Sequence, residues 1–220
     1  MINKIVDSAS KAVSDILDGA TIMVGGFGDA GSPTELLEAL AARRTRHLKI
    51  ISNNAGNGDA GLARLFAQGQ VEKITCSFPL TADPHAFKEA FERGGLEFEL
   101  VPQGTLAERI RAGGAGLGGV ITPTGVGTVF SEGKKTITLD SKEYLIESPL
   151  KADFALLKAW KADRWGNLIY RHAARNFNFV MATSASITIA QTKIIEPEGL
   201  SPDDVQTPSI FVDRVVQVDP

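Results

Sequence analysis

The chain has 220 residues, of which 43 % are apolar and 22 % are charged, a balance typical of a globular protein and not of a disordered one. Its net charge of −3 provides no general basic surface for nucleic acid, and one cysteine with three histidines leaves few soft metal ligands. Glycine is over-represented, with 22 residues against a usual share of about 7 %. We therefore expect one domain over residues 1–220, rich in tight turns, with no metal site.

The first half of the chain predicts alternating helices and strands. Residues 4–17 are predicted to be an amphipathic helix, because their apolar side chains share one helical face: Val6, Ala9, Val13, Ile16 and Leu17. Further helices are predicted over 33–43, 60–68, 84–94 and 105–113, and strands over 21–24, 48–52, 71–78 and 96–100. Ser32 and Glu35 form a predicted capping box for the helix over 33–43. This alternation predicts an α/β fold with a mostly parallel sheet and flanking helices.

After residue 118 the pattern becomes rich in strands. Two antiparallel strands are predicted around Ser141, and further strands over 153–160, 167–171, 186–190 and 210–218. We expect this strand-rich C-terminal part to extend the same sheet.

A glycine-rich turn joins the first predicted strand to the capped helix. Gly26-x-Gly28-x-x-Gly31 matches the dinucleotide fingerprint, and the helix after it would offer free N–H groups to a phosphate or carboxylate. A nicotinamide site also needs an acidic residue at the end of the second strand, where the chain has Ser52-Asn53-Asn54. A tight turn without any ligand remains the alternative.

Polar residues follow two other predicted strands. Asn53 and Asn54 could contact a ligand or could simply stabilise a turn. Gln103 stands at a predicted helix start, where its amide could donate to a developing oxyanion or could only cap the helix. The segment 122–128 adds a third glycine-rich loop.

Nucleophiles and bases are scarce. Cys76 fits a small buried residue better than a reactive thiol, and His47 and His172 fit surface positions. The N-terminal segment lacks the apolar core of a signal peptide, and no run is apolar enough to span a membrane, so we expect a cytoplasmic protein.

Six segments in order resemble the A (alpha) chains of class I 3-oxoacid coenzyme A transferases: 18–33, 52–56, 102–116, 122–128, 153–167 and 174–178. The resemblance implies a coenzyme A transferase-type fold. It also implies ping-pong chemistry, in which a glutamate carries first the acyl group and then CoA as a thioester. In the family this glutamate lies in a Ser-Glu-Asn-Gly motif of the B (beta) chain. The nearest string here, Ser131-Glu132-Gly133, lacks the asparagine, so the nucleophile is expected on a partner chain.

The resemblance also assigns roles to residues. Gln103 matches the glutamine that stabilises the oxyanion. The glycine loop matches the CoA-binding loop and comprises Gly25, Gly26, Phe27, Gly28, Asp29, Ala30 and Gly31. The expected substrate pocket comprises Asn53, Asn54, Gly125 and Gly127. CoA thioesters are expected as substrates, with no tightly bound cofactor.

The resemblance favours enzymes that transfer CoA from succinyl-CoA to 3-oxoadipate, as in aromatic catabolism. It implies paired alpha and beta chains, often doubled into a heterotetramer. A dicarboxylate substrate would need an added cation, for which Arg164, Arg171 and Arg175 are candidates. Acetoacetate is the alternative 3-oxoacid. A nicotinamide-dependent reductase and a non-enzymatic acyl-CoA-binding or sugar-phosphate-binding module are more remote alternatives.

Overall fold

The computed structural model of the protein describes residues 2–218. The strands, numbered in chain order, are β1 (Ile5–Val6), β2 (Thr21–Val24), β3 (Leu48–Ser52), β4 (Val71–Cys76), β5 (Glu97–Leu100), β6 (Val120–Thr122), β7 (Thr136–Leu139), β8 (Lys142–Glu147), β9 (Ala152–Lys158), β10 (Lys161–Asp163), β11 (Leu168–Ile169), β12 (Ala185–Thr192), β13 (Ile194–Glu196) and β14 (Arg214–Gln217). The helices are α1 (Ala9–Ala12), α2 (Thr34–Arg43), α3 (Leu62–Ala67), α4 (His85–Glu92), α5 (Gln103–Gly114) and α6 (Asn178–Ala182).

An eight-stranded sheet forms the centre of the fold, in the order β1-β14-β12-β9-β2-β3-β4-β5. Every neighbouring pair in it is parallel. The chain moves outward from β2 to β5 and then returns to place β9 on the other side of β2. Because all strands are parallel, their carboxyl ends lie at one edge, where ligands bind in sheets of this kind. The predicted parallel α/β fold is confirmed.

Alternation along the strands divides the core into two layers. Ile22 and Ile50 face a layer formed with α1 to α4, whereas Met23 and Ile51 face the layer formed with α5 and α6. All four side chains are at most 4 % exposed. Among the described residues, no helix combines the length and the apolar character that a membrane crossing requires.

The strand-rich C-terminal part only partly extends the central sheet. Strands β9, β12 and β14 join it as predicted, but β6, β8 and β7 form a separate antiparallel sheet, and β11, β10 and β13 form another small sheet. The expectation of a single sheet is therefore wrong. The predicted antiparallel pair is confirmed as β7 and β8, with Leu139 opposite Lys142.

The predicted helix over residues 4–17 is wrong in its length. Ile5 and Val6 instead pair with β14 at the edge of the central sheet. The side chain of Ser8 then accepts a hydrogen bond from the Lys11 N–H and starts the four-residue helix α1. Val13 and Ile16 are buried as the apolar pattern predicted, but Leu17, placed on the same face, is 70 % exposed. The pattern therefore identified part of the buried face but not the backbone that presents it.

The predicted capping box at α2 is also wrong. The residue before the helix is Pro33, whose side chain makes no capping hydrogen bond. The Glu35 carboxylate instead accepts a hydrogen bond from the Gln191 side chain on β12, and Gln191 Oε1 accepts from the Leu36 N–H at 3.0 Å. A buried glutamine from a distant strand thus satisfies the helix end.

Asp163 organises the loop that follows β10. It is fully buried. Its Oδ1 accepts from the backbone N–H groups of Trp165, Gly166 and Asn167 at 3.0–3.1 Å. Its Oδ2 accepts from Asn167 Nδ2 at 2.8 Å and from the Leu200 N–H at 3.2 Å. A single carboxylate thereby holds together two segments of the C-terminal part.

We expect Asp163→Ala to lower the free energy of unfolding by about 3–5 kcal/mol, because each buried donor left without a partner costs about 1–3 kcal/mol and some will reach water. Denaturant unfolding followed by circular dichroism measures the change. Asp203→Ala removes an exposed carboxylate from the same part of the chain and should change stability by less than ~0.5 kcal/mol. Equal stability of the two variants would contradict this role for Asp163.

Candidate functional site

A cleft lies at the carboxyl edge of the central sheet, above β2, β3 and β4. It consists of two adjoining cavities of about 280 and 580 Å³. Both cavities are lined by Gly28, Asp29, Asn53, Asn54 and Asn57. The larger cavity also reaches Gln103, at the start of α5, and the exposed rings of Phe27 and Phe78. We call this space the glycine-loop cleft, after the loop over residues 25–31.

The glycine loop makes a tight reversal directly after β2. The N–H of Phe27 donates to the Ala30 carbonyl at 3.0 Å, and the N–H of Ala30 donates to the Phe27 carbonyl at 3.2 Å. Gly31 has a φ of +75°, which disfavours residues with a side chain. A Cβ at Gly25 would lie only 2.0 Å from Asn178 Oδ1. Here glycine is therefore required by close packing as well as by backbone geometry.

Two asparagines from the other end of the chain hold this loop. Asn176 Oδ1 accepts from the Gly26 N–H at 3.2 Å, and its Nδ2 donates to the Ala30 carbonyl at 2.9 Å. Asn178, which is fully buried, donates through Nδ2 to the Gly31 carbonyl at 3.0 Å. Both residues lie in the segment 174–178, which resembles the coenzyme A transferase alpha chains, but the resemblance assigned no role to either of them. No local pattern could have shown a contact across about 150 positions.

The predicted anion site at the start of α2 is already partly filled by the protein. The Leu36 N–H donates to Gln191, and the Glu35 carboxylate lies beside it in the first turn. A negative side chain at this helix end already uses the favourable field of the helix dipole. The cleft is therefore lined by the glycine loop together with Ser32 and Thr34 at the start of the helix, while part of the helix end is already occupied by side chains of the protein.

Asn53, Asn54 and Gln103 come together at the cleft floor. Asn54 Oδ1 accepts from the Gly56 N–H at 2.8 Å, and Nδ2 donates to the Gly28 carbonyl at 3.4 Å, which ties the loop after β3 to the glycine loop. Gln103 Nε2 donates to Asn53 Oδ1 at 2.8 Å. Asn53 is 3 % exposed, whereas Gln103 is exposed at the first position of α5. This geometry agrees with a turn-stabilising role for Asn54, and it leaves Gln103 able to face a ligand.

Polar contacts join the loops at the rim of the cleft. Asn57 Nδ2 donates to Asp29 Oδ2 at 3.3 Å, and Asn57 Oδ1 accepts from the Asp83 N–H at 2.9 Å. The His85 ring lies 2.9 Å from an Asp83 oxygen and 3.0 Å from an Asp59 oxygen. The hydrogen bond to Asp83 raises the pKa of His85 above its ordinary value. These contacts hold the loops after β3 and β4 beside the glycine loop.

Other predicted site residues lie outside the cleft. Gly125 and Gly127 lie in the connection between β6 and β7 and line neither cavity. Each candidate arginine is placed over an aromatic ring instead: Arg164 over Trp165, Arg171 over Trp160 and Arg175 over Phe179.

The cleft lining has little ionisable character. Within residues 2–218, Asp29 is the one acidic or basic side chain that lines either cavity. Cys76 is fully buried, and burial raises the pKa of its thiol to about 12, so it is held as a neutral thiol. No cluster of three histidine, cysteine or acidic side chains suited to a metal ion occurs in this part of the chain. What the cleft offers is a set of neutral amide donors.

Comparison with known proteins identifies the family. A family model described as coenzyme A transferase matches residues 6–218. The chain is 54 % identical to the A (alpha) chain of the 3-oxoadipate CoA-transferase of Acinetobacter baylyi, over 99 % of this chain and 96 % of that protein. It is 45 % identical to the corresponding chain of a probable succinyl-CoA:3-ketoacid coenzyme A transferase of Bacillus subtilis, over 98 % of this chain and 90 % of that one.

A solved structure shares the fold. An acyl-CoA transferase of Escherichia coli O157:H7, solved as a thioester complex with CoA, superposes with a TM-score of 0.84 at 26 % identity. The match covers 99 % of this chain but 47 % of that one, so the present chain spans about half of the E. coli protein. The expected coenzyme A transferase-type fold is confirmed, and the chain belongs to the coenzyme A transferase family.

Proposed function

We propose that this chain is the alpha chain of a two-subunit transferase that moves CoA from succinyl-CoA to 3-oxoadipate. The observation that carries the proposal is the 54 % identity, over nearly the full length of both chains, to the corresponding chain of the A. baylyi 3-oxoadipate CoA-transferase. The cleft is consistent with it, because among residues 2–218 its lining offers neutral donors and no nucleophile with an adjacent base.

In the proposed reaction, the partner chain supplies the nucleophile from its Ser-Glu-Asn-Gly motif. Its glutamate carboxylate attacks the thioester carbonyl of succinyl-CoA, and the C–S bond breaks to give an acyl anhydride and CoA thiolate. The thiolate then attacks the glutamyl carbonyl, which releases succinate and leaves a glutamyl-CoA thioester. The carboxylate of 3-oxoadipate then attacks the glutamyl-CoA thioester and releases CoA thiolate, which gives a new anhydride. The thiolate attacks the 3-oxoadipyl carbonyl of this anhydride, which frees the glutamate and releases the CoA ester of 3-oxoadipate.

Each attack places negative charge on a carbonyl oxygen, and Gln103 is positioned to donate to it. One N–H of its amide is engaged by Asn53, and the other is available to the cleft. A neutral donor suits this task, because a permanent cation would also pair with the attacking carboxylate and hold it in an unproductive position. The glycine loop would pack against the CoA thioester, since its glycines let the backbone approach closely.

The lining of the cleft says least about which 3-oxoacid accepts CoA. No cation from residues 2–218 lines it, so a distal carboxylate would rely on neutral donors here and on any cation of the partner. The name of the B. subtilis relative specifies only a 3-ketoacid, a class that includes acetoacetate, so acetoacetate is kept as the second candidate.

Co-expression with the neighbouring reading frame tests the assignment. The complex should transfer CoA from succinyl-CoA to 3-oxoadipate with a higher kcat/KM than to acetoacetate, and this chain alone should be inactive. A higher kcat/KM for acetoacetate would refute the substrate assignment. Transfer by the isolated chain would refute the two-subunit mechanism, and light scattering of the complex would test the proposed heterotetramer.

We expect Gln103→Ala to lower kcat of the complex by about 10²–10³, the usual loss when one oxyanion donor is removed. KM for succinyl-CoA should change little, because the interaction develops only in the transition state. Gln68→Ala truncates an exposed glutamine at the end of α3 and serves as the control. If both variants retain full kcat, Gln103 has no part in the reaction.

Gly25→Ala should impair both stability and activity, because the added Cβ collides with the buried Asn178 amide. Overpacking of this kind costs about 1–3 kcal/mol, and the displaced glycine loop should lower kcat/KM by at least about tenfold. Gly118→Ala adds the same methyl group where, within residues 2–218, no atom beyond its neighbours in the chain lies within 4 Å. Thermal unfolding and steady-state kinetics measure the two effects, and wild-type behaviour of Gly25→Ala would show that the loop tolerates movement.

A further inference from the structure

A chain of three side chains leads from the end of β4 into the cleft. Ser77 directly follows β4, and its Oγ donates to Asn53 Oδ1 at 2.7 Å. The same oxygen of Asn53 accepts from Gln103 Nε2 at 2.8 Å. Strand β4 was expected to continue to residue 78, but it ends at Cys76. Ser77 therefore leaves the strand and takes part in the lining of the cleft.

Asn53 is held firmly in this arrangement. A carboxamide oxygen accepts two hydrogen bonds, and both are used here. The backbone contributes as well, since the Ser77 N–H donates to the Asn53 carbonyl at 3.2 Å. With 3 % of its surface exposed, Asn53 has little room to rotate. Its carboxamide oxygen is thus a fixed acceptor at the cleft floor.

This acceptor sets the orientation of the Gln103 amide. Gln103 is exposed, and within residues 2–218 its side chain makes no other hydrogen bond. A glutamine side chain that is free to rotate would spend little time in any one orientation. Donation of one N–H to Asn53 directs that N–H at a fixed acceptor, and this restricts the directions that the second N–H, on the same nitrogen, can take.

We propose that Ser77 is a positioning residue for CoA transfer, which acts through Asn53 to hold the Gln103 amide with its second N–H directed into the cleft. This inference rests on the proposed oxyanion role of Gln103. Ser77 itself needs no contact with the reacting atoms. A purely structural role is the competing explanation, since Ser77 Oγ also lies 3.1 Å from the Asn53 carbonyl and could simply join β3 to β4.

Side-chain amide NMR of the full-length chain separates the two roles. With glutamine labelled at the side-chain nitrogen, Gln103→Ala identifies the Gln103 resonances by their loss. Ser77→Ala should shift or broaden those resonances, whereas Ser77→Thr, which keeps the hydroxyl, should restore them. Ser184→Ala is the matched control, because its Oγ joins two segments by donating to the Leu150 carbonyl outside the cleft. Unchanged Gln103 resonances in Ser77→Ala would overturn the proposal.

Kinetics of the two-subunit complex give the second readout. Ser77→Ala should lower kcat by about 10–100-fold, the scale of a small misplacement of a catalytic group, with KM for succinyl-CoA unchanged and activity restored by Ser77→Thr. Ser184→Ala should keep its kcat. A Ser77→Ala variant with normal kcat would overturn the positioning role. An inactive wild-type complex would instead refute the proposed function, while the NMR result still decides whether Ser77 orients the amide.

Discussion

The hydrogen bonds of Asn178 hold in place the glycine loop, which lines the cleft. Its side chain is fully buried between the sheet and the glycine loop. Oδ1 accepts from the Lys158 N–H at the end of β9 at 3.0 Å, and Nδ2 donates to the carbonyls of Gly31 and Ala174 at 3.0 and 2.9 Å. One amide thus joins β9, the segment before α6 and the loop after β2. Because a buried amide that loses these partners is costly, the position of the glycine loop is set by the fold as a whole.

This arrangement explains how a chain with few reactive groups can contribute to an enzyme. The parallel sheet brings the loops after β2, β3, β4 and β5 to one edge, where the side chains of Asn53 and Gln103 meet at 2.8 Å. In this contact the Asn53 oxygen accepts and the Gln103 amide donates, and both groups are neutral. In the proposed function, the chain supplies this preorganised surface, and the partner supplies the carboxylate that reacts.

The sequence predicted the features that depend on local pattern and failed where distant contacts decide. The strand–turn–helix around the glycine loop, the parallel sheet and the placement of Asn53 and Gln103 after the ends of strands follow from periodicity and from the edge rule for parallel sheets. The capping of α2 did not, because Gln191, which lies 155 positions away, satisfies its Leu36 N–H. Ser77 was missed for a related reason. The predicted strand continued to residue 78, whereas β4 ends at Cys76 and the Ser77 hydroxyl donates to the Asn53 side chain.

Intact-protein mass spectrometry can show which of the two chains carries the covalent intermediate of the proposed reaction. The complex would be incubated with succinyl-CoA and denatured without thiol or base, either of which would cleave a thioester. The masses of both chains would then be measured. We expect a covalent CoA thioester on the partner chain and an unmodified mass for the present chain, with the partner adduct reduced when Gln103 is replaced by alanine. A CoA adduct on the present chain would instead place the nucleophile on this chain and refute the proposed division of roles.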